Sequence, residues 1–261
     1  MSAEVSRTSP RPPTLHAEAP DGVLVAYRVH GDVRADAALP PVLLVHGFAS
    51  DSVVTWEGTG WVSALRDAGR TVVTTDLRGH GESDKPADAD SYSPDRLGAD
   101  LVAVLDSAGV RLVDVVAYSM GNRVVSALCE LAPDRVRKVV VGGAGPSELF
   151  ATWDLGEVRA YLLDGIPPRN PVIAQVLGPA IRAGADREAL LACTEGVAGA
   201  PLAIPGGIPV LFVAGEDDPV PAGVQRLALD WGSDLVTIPG RDHVSTLTAR
   251  SFKDAAVAFL A

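Results

Sequence analysis

Ser119 stands where an apolar run, Val115-Val116-Ala117-Tyr118, gives way to Met120-Gly121-Asn122 and then to helix-like spacing. A nucleophilic hydroxyl has to be raised above its fold. A sharp strand-to-helix turn does this and leaves the next backbone N–H, that of Met120, free for an oxyanion. Such a turn is crowded, and Ala117 and Gly121 are the small neighbours it needs; the pattern is Gly-x-Ser-x-Gly with alanine in the first glycine's place. A serine hydroxyl is a poor nucleophile until a base takes its proton, and the base needs a carboxylate to fix its tautomer. Five histidines and three consecutive acids, Glu216-Asp217-Asp218, are the candidate partners. Chemistry alone leaves the choice among the acids open.

Two upstream segments narrow it. Pro41-Val42-Leu43-Leu44-Val45-His46-Gly47-Phe48 is an apolar strand opening into a turn, and Val72-Val73-Thr74-Thr75 leads into Asp76-Leu77-Arg78-Gly79-His80-Gly81-Glu82-Ser83-Asp84. With His-Gly-Phe after one strand, Asp-x-Arg-Gly-His-Gly-x-Ser after the next and Tyr-Ser-Met-Gly at the turn, the chain resembles the α/β-hydrolase family over residues 15–145 and 206–261. The resemblance implies a base between a final strand and a final helix, which is the place of His243. His46 and His80 belong to the upstream motifs, and His16 and His30 to the N-terminal strand region. The family's Gly-x-x-Asp followed by a tight turn falls on Asp218, which Pro219 holds extended; Asp217 is the runner-up. Gly142-Gly143-Ala144-Gly145-Pro146, where some relatives carry the acid, offers none. Ser119, Asp218 and His243 then follow one another in the order this fold requires.

By the same resemblance the Phe48 N–H is the second oxyanion donor beside Met120, and the Phe48 ring belongs to the substrate pocket. The chain lacks the His-Gly-Gly-Gly run of some lipases and the His-Gly-Gly-Pro-Gly run of proline iminopeptidases. Serine at position 119 departs from the aspartate of ordinary haloalkane dehalogenases and epoxide hydrolases. Asn122 stands where many relatives have a second glycine, a change expected to touch helix packing only. Asp76 and Arg78 read as ties holding the Gly-rich loop by hydrogen bonds and charge.

Composition sets the outer limits. A chain of 261 residues, 47% hydrophobic, is long enough for one large core. No apolar run approaches the ~18 residues of a membrane span. A formal charge of −11 argues against nucleic acid as a partner and disfavours strongly anionic substrates unless a local group overrides the average. Cys129 and Cys193 make no disulfide framework and read as free thiols of a reducing cytoplasm. Residues 1–14, rich in Ser, Pro and Arg, read as a loose tail and not a secretory signal. The histidines lack metal-ligand spacing, and no dinucleotide or nucleoside-triphosphate fingerprint is present; no cofactor or metal is expected.

Alternating periods supply the frame. Residues 23–29, 42–45, 71–75, 112–118, 136–141, 209–214 and 235–238 have strand character, and helical spacing falls between them, as in Leu97, Leu101 and Leu105. Pro94 and Asp95 suit that helix's first turn. This alternation implies an α/β fold with a mostly parallel central sheet flanked by helices, whose ligand sites lie beyond the strands' carboxyl ends. Residues 146–205 show no strand pattern. They read as a small helical lid, inserted after the family's sixth strand, with a Pro/Gly-rich return linker. Phe150, Trp153 and Tyr161 of that lid, with Phe48, are the expected substrate-binding side chains. The function expected is a carboxylic ester or lactone hydrolase acting on a small-molecule acyl substrate. A carbon–carbon hydrolase, thioesterase, acyltransferase or lyase using the same site, and a non-catalytic ligand-binding protein, are the alternatives. Oligomeric state is left open.

Overall fold

Eight strands alternate with helices along the described residues, which in this computed structural model are 11–34 and 37–261. In chain order they are β1 (Leu15–Glu18), β2 (Leu24–His30), β3 (Val42–Val45), α1 (Trp61–Asp67), β4 (Val72–Thr75), α2 (Pro94–Ser107), β5 (Val113–Tyr118), α3 (Gly121–Leu131), β6 (Val136–Gly142), α4 (Leu155–Arg159), α5 (Pro171–Arg182), α6 (Arg187–Val197), β7 (Val210–Gly215), α7 (Val224–Trp231), β8 (Asp234–Ile238), α8 (His243–Thr248) and α9 (Arg250–Leu260). The sheet order is β1-β2-β4-β3-β5-β6-β7-β8. Only β2 runs antiparallel to its neighbours; from β4 to β8 every pairing is parallel.

Both faces of the central parallel strands β3, β4, β5 and β7 are buried, so their side chains divide by the period of two. Leu43, Val45, Val113, Val115 and Ala117 join one core, which includes Leu97, Leu101 and Leu105 of α2 and Val124, Val125 and Leu128 of α3. Val42, Leu44, Val116 and Tyr118 join the other, with Trp61 and Leu65 of α1 and Phe252, Ala256 and Leu260 of α9. The Trp61 ring meets Phe252 edge-on at 4.7 Å, an arrangement aromatic pairs prefer.

The strand β1 had no clear signal: Leu-His-Ala-Glu buries only Ala17, because it is an edge strand. Of the expected tail, residues 1–10 lie outside the described residues. Residues 11–14 are tied to the body, Arg11 by Glu57 and Thr14 by a 2.6 Å bond to Glu82. Between β6 and β7 the chain is helical, with α4, α5 and α6 started by side-chain caps from Asp154, Asn170 and Asp186. Each cap accepts an otherwise orphaned N–H of the first turn. No helix of the described residues is long and apolar enough to cross a membrane.

Candidate active site

The turn between β5 and α3 forces Ser119 to φ 52°, a left-handed conformation that non-glycine residues adopt only when the surroundings over-determine it. Here they do. Ser119 N–H donates to Gly142 O at 2.9 Å, and Ser119 O accepts from Asn122 N at 3.1 Å. The Asn122 side-chain amide adds bonds to Ser119 O at 3.0 Å and to Gly142 O at 2.9 Å. Asn122 therefore ties the turn to the end of β6, a larger role than the packing change expected of it. Gly121 is obligatory: a Cβ there would lie 2.5 Å from His46 O and 2.6 Å from Val45 O. Both are backbone atoms that cannot step aside.

Of the three consecutive acids, Glu216 and Asp217 are exposed and Asp218 is buried. Asp218 Oδ2 accepts from His243 Nδ1 at 2.7 Å, while Oδ1 accepts from Val220 N at 2.9 Å. With its Nδ1–H donated to the carboxylate, His243 keeps the Nε2 lone pair available. His243 opens α8, whose capping box pairs Asp242 with Ser245. Tyr118 Oη donates to His243 O at 2.5 Å. Gly143, at φ 59°, leaves the space these rings occupy; a Cβ there would come within 2.7 Å of Tyr118 and 3.0 Å of His243.

The loop from His46 to Ala49 is held from behind by two histidines. Leu77 N–H donates to His46 Nε2 at 3.0 Å, so the proton sits on Nδ1, which donates to Gly47 O at 2.7 Å. Ala49 N–H donates to His80 Nε2 at 3.1 Å, and His80 Nδ1 donates to Arg78 O at 3.0 Å. Ala49 itself is at φ 56°. Burial pushes both imidazoles down from their ordinary pKa, His80 to about 3, so both are neutral and act as fixed acceptors. Asp76 accepts from Ser52 N and Glu82 N, and Arg78 grips Asp100 and Asp21 with paired bonds. These are the contacts of loop-holding ties.

A cavity of about 560 Å³ opens above the carboxyl ends of β3, β5, β6, β7 and β8. Ser119, Met120, Phe48, Phe150 and His243 are all in its wall. Trp153 and Tyr161 are not. Trp153 is buried behind Phe150, at 5.0 Å between ring centroids, and the Tyr161 hydroxyl packs beside Gly178. In their place α5 supplies Val172, Gln175, Val176 and Pro179, spaced i, i+3, i+4, i+7 on one helix face. The adjoining face, Ile173, Leu177 and Ala180, is in the core. The sequence stripe through Val172 and Val176 was the available signal for this wall. Val54 and Val244 are cavity wall and solvent-exposed at once, at 62% and 73%, so the cavity opens between them. Arg123, which sequence reasoning passed over, also lines it. Among the described residues no group of three or more His, Cys, Asp or Glu gathers to hold a metal ion.

A family model described as alpha/beta hydrolase fold matches residues 40–164, the segment carrying the first three motifs. A hydrolase of Pseudomonas aeruginosa PA01 superposes with a TM-score of 0.75 over 95% of this chain and 98% of its own, at 25% identity. The chain is an α/β-hydrolase-fold protein. Among curated relatives, a 2-hydroxymuconate semialdehyde hydrolase of Pseudomonas sp. (strain CF600) is 31% identical over 138 residues, 53% of this chain and 48% of that protein. Epoxide hydrolase 3 of Siraitia grosvenorii is 34% identical over 101 residues, 39% of this chain and 31% of that one. The matched stretches thus span less than half the length of these two relatives.

Proposed function

We propose that this chain is a serine hydrolase that cleaves a carboxylic ester or lactone through an acyl-enzyme. The observation that carries the reading is the 2.7 Å bond from His243 Nδ1 to buried Asp218, in the wall of the cavity that also holds the left-handed Ser119. Ser119 Oγ attacks the acyl carbon while His243 Nε2 takes the hydroxyl proton. The carbonyl electron pair moves onto oxygen, where the backbone N–H groups of Met120 and Phe48 stabilise it. Collapse expels the alcohol, which leaves with the proton from Nε2. Water, deprotonated by the same nitrogen, then attacks the acyl carbon and releases the acid and Ser119. Asp218 holds the ring of His243 in place and stabilises the imidazolium that forms.

The segment 146–205 acts as a lid in this scheme, with α5 and Phe150 shaping the site. The substrate is a small-molecule acyl compound. Its aliphatic part is matched by the mostly apolar wall, Val54, Leu149, Val172, Val176, Val220 and Leu247. Serine at position 119 favours this chemistry over epoxide opening, although an epoxide hydrolase is among the relatives. A second reading keeps the same residues and changes the bond: the 31% identical 2-hydroxymuconate semialdehyde hydrolase makes carbon–carbon hydrolysis the alternative to test. Matched ester, thioester and diketone panels separate these reactions.

Ser119→Ala should lower turnover by about three orders of magnitude or more and leave the melting temperature in place. A fluorophosphonate should label the wild type at Ser119, which an idle ligand-binding pocket would not allow. Undiminished turnover in Ser119→Ala would remove the mechanism.

A further inference from the structure

Among the described residues four arginines are buried: Arg28, Arg70, Arg78 and Arg123, each 5% exposed or less. Three of them meet a carboxylate. Arg28 pairs with Glu82, Arg70 with Asp114, and Arg78 with Asp100 and Asp21. Arg123 has no carboxylate within ion-pair distance among the described residues, and of the four it alone lines the cavity. Its Nη2 is committed to Gly145 O at 2.6 Å and Ser147 O at 2.9 Å. Its Nη1 is buried without an acceptor. Glu148, the acid whose charge reaches it, is also cavity wall but accepts from Phe150, Ala151 and Gly199 N–H groups. A buried cationic donor left unmatched is costly, and in a ligand cavity the economical partner is the ligand.

We propose that Arg123 binds a carboxylate carried by the acyl part of the substrate, so that this cavity selects acyl compounds with a second, anionic end. The fork of Gly145 and Ser147 carbonyls fixes the guanidinium plane, leaving Nη1 for the incoming oxygen. Arg123 sits in the first turn of α3, just past the elbow that carries Ser119, and both residues line the same cavity. The ligand proposed carries its carboxylate a few methylenes beyond the attacked carbonyl. Arg123 is the local cation that overrides the chain's acidic average. This inference rests on the hydrolase reading for the position of the attacked carbonyl, but the binding of the carboxylate can be measured without turnover.

The test compares para-nitrophenyl hemiadipate with its methyl-capped twin on the full chain. The wild type should favour the charged ester by about tenfold or more in kcat/KM. Arg123→Met should lose about 10- to 100-fold on the charged ester and little on the neutral one, and Arg123→Lys should recover part of the preference. A role confined to bracing residues 145–147 would lower both substrates together and leave their ratio unmoved. Calorimetry of adipate with Ser119→Ala supplies the arm that needs no catalysis: saturable binding that disappears in the Ser119→Ala, Arg123→Met double variant supports the proposal. Adipate binding without turnover of either ester would defeat the hydrolase reading and leave the Arg123 site standing. Equal turnover of both esters with no adipate binding would overturn the Arg123 site and spare the hydrolase. If Arg123→Met fails to fold, the wild-type preference and adipate binding to Ser119→Ala decide the matter.

Discussion

The side-chain amide of Asn122 donates to the carbonyl oxygen of Ser119 at 3.0 Å and also to that of Gly142, so the first turn of α3 holds the strained serine against the end of β6. Both acceptors would lose a buried partner in Asn122→Ala. Each keeps a backbone donor, Ser119 N–H for Gly142 O and Asn122 N–H for Ser119 O, so the loss is that of two additional hydrogen bonds, about 0.5–1.5 kcal/mol each, which for a domain of this size lowers the melting temperature by about 2–4 °C per kcal/mol. Because the backbone N–H of Asn122 still reaches Ser119 O, the turn should loosen without collapsing. The expected result is a kcat about tenfold lower with KM little changed, since the nucleophile's placement is affected and the cavity is not. An unchanged kcat in a folded variant would reduce Asn122 to a packing residue.

Two glycines separate folding from chemistry. In Gly121→Ala the new methyl meets the backbone of Val45 and His46 at about 2.6 Å or less, and neither strand nor elbow can yield. That variant should be destabilised by about 3 kcal/mol or more, in the range reserved for steric conflict in a core, and should accumulate poorly. In Gly143→Ala the methyl meets the rings of Tyr118 and His243, which can tilt, at the added cost of a left-handed alanine of about 1–2 kcal/mol. It should fold and lose activity, because the ring displaced is the one bonded to Asp218. Circular dichroism melts and esterase assays on the two variants check the contrast.

Why some of this was legible and some not follows from range. The central strands β3 to β7 announce themselves because burial on both faces favours short runs rich in Val, Leu and other β-branched or apolar residues. The elbow is visible because a strained turn permits few residue types around Ser119. Asp218 was separable from Asp217 only by its spacing from Gly215 and by Pro219; the structure gives the physical difference, since Asp218 is buried on His243 and Asp217 faces solvent. The cavity wall was harder. Aromatic side chains suggest a pocket, yet Trp153 turns onto Phe150 and the core, while the smaller Val172 and Val176 face the cavity. Which of two adjoining apolar faces of α5 meets a core and which a cavity depends on how the helix docks, and no local pattern encodes that. Arg123 was missed for a related reason: its missing carboxylate becomes visible only once the chain is folded.

The neutral histidines behind the loop from His46 to Ala49 give the fold a pH dependence with a definite sign. Burial, and then the neighbouring His46, holds His80 at about 3. Burial and then Arg28 holds His30 at about 4, and burial also lowers His46. In the unfolded chain each titrates near about 6.5. Below that pH the unfolded chain takes up protons that the folded one refuses, so stability is fully present above about 6.5 and is lost as pH falls toward the folded values. His30 and His80 each contribute a slope of up to about 1.4 kcal/mol per pH unit in that window, and His46 acts in the same direction. Urea midpoints should therefore fall steadily from about pH 7 to about pH 5, before most carboxylates titrate. His80→Gln, whose side-chain oxygen can still accept from Ala49 N–H, should show a shallower slope. Midpoints that do not move across this interval would mean that the imidazoles are solvated or find new partners when protonated.

Acyl-chain selectivity should respond to α5 and not to Trp153. Val176 faces the cavity while Ile173 and Leu177 anchor the same helix in the core, so enlarging residue 176 fills the site without disturbing the anchor. Val176→Phe should lower kcat/KM for decanoyl esters by about 10- to 100-fold relative to butyryl esters, the span that a few excluded methylenes command. Trp153→Phe removes an indole from behind Phe150 and keeps an aromatic contact there. It should lower the melting temperature by a few degrees, as a partly filled core position does, with the decanoyl-to-butyryl ratio unchanged. The comparison turns on that ratio, which is insensitive to how much of each preparation is active. A ratio shifted by Trp153→Phe and indifferent to Val176→Phe would assign the acyl wall to the segment around Phe150 and remove α5 from it.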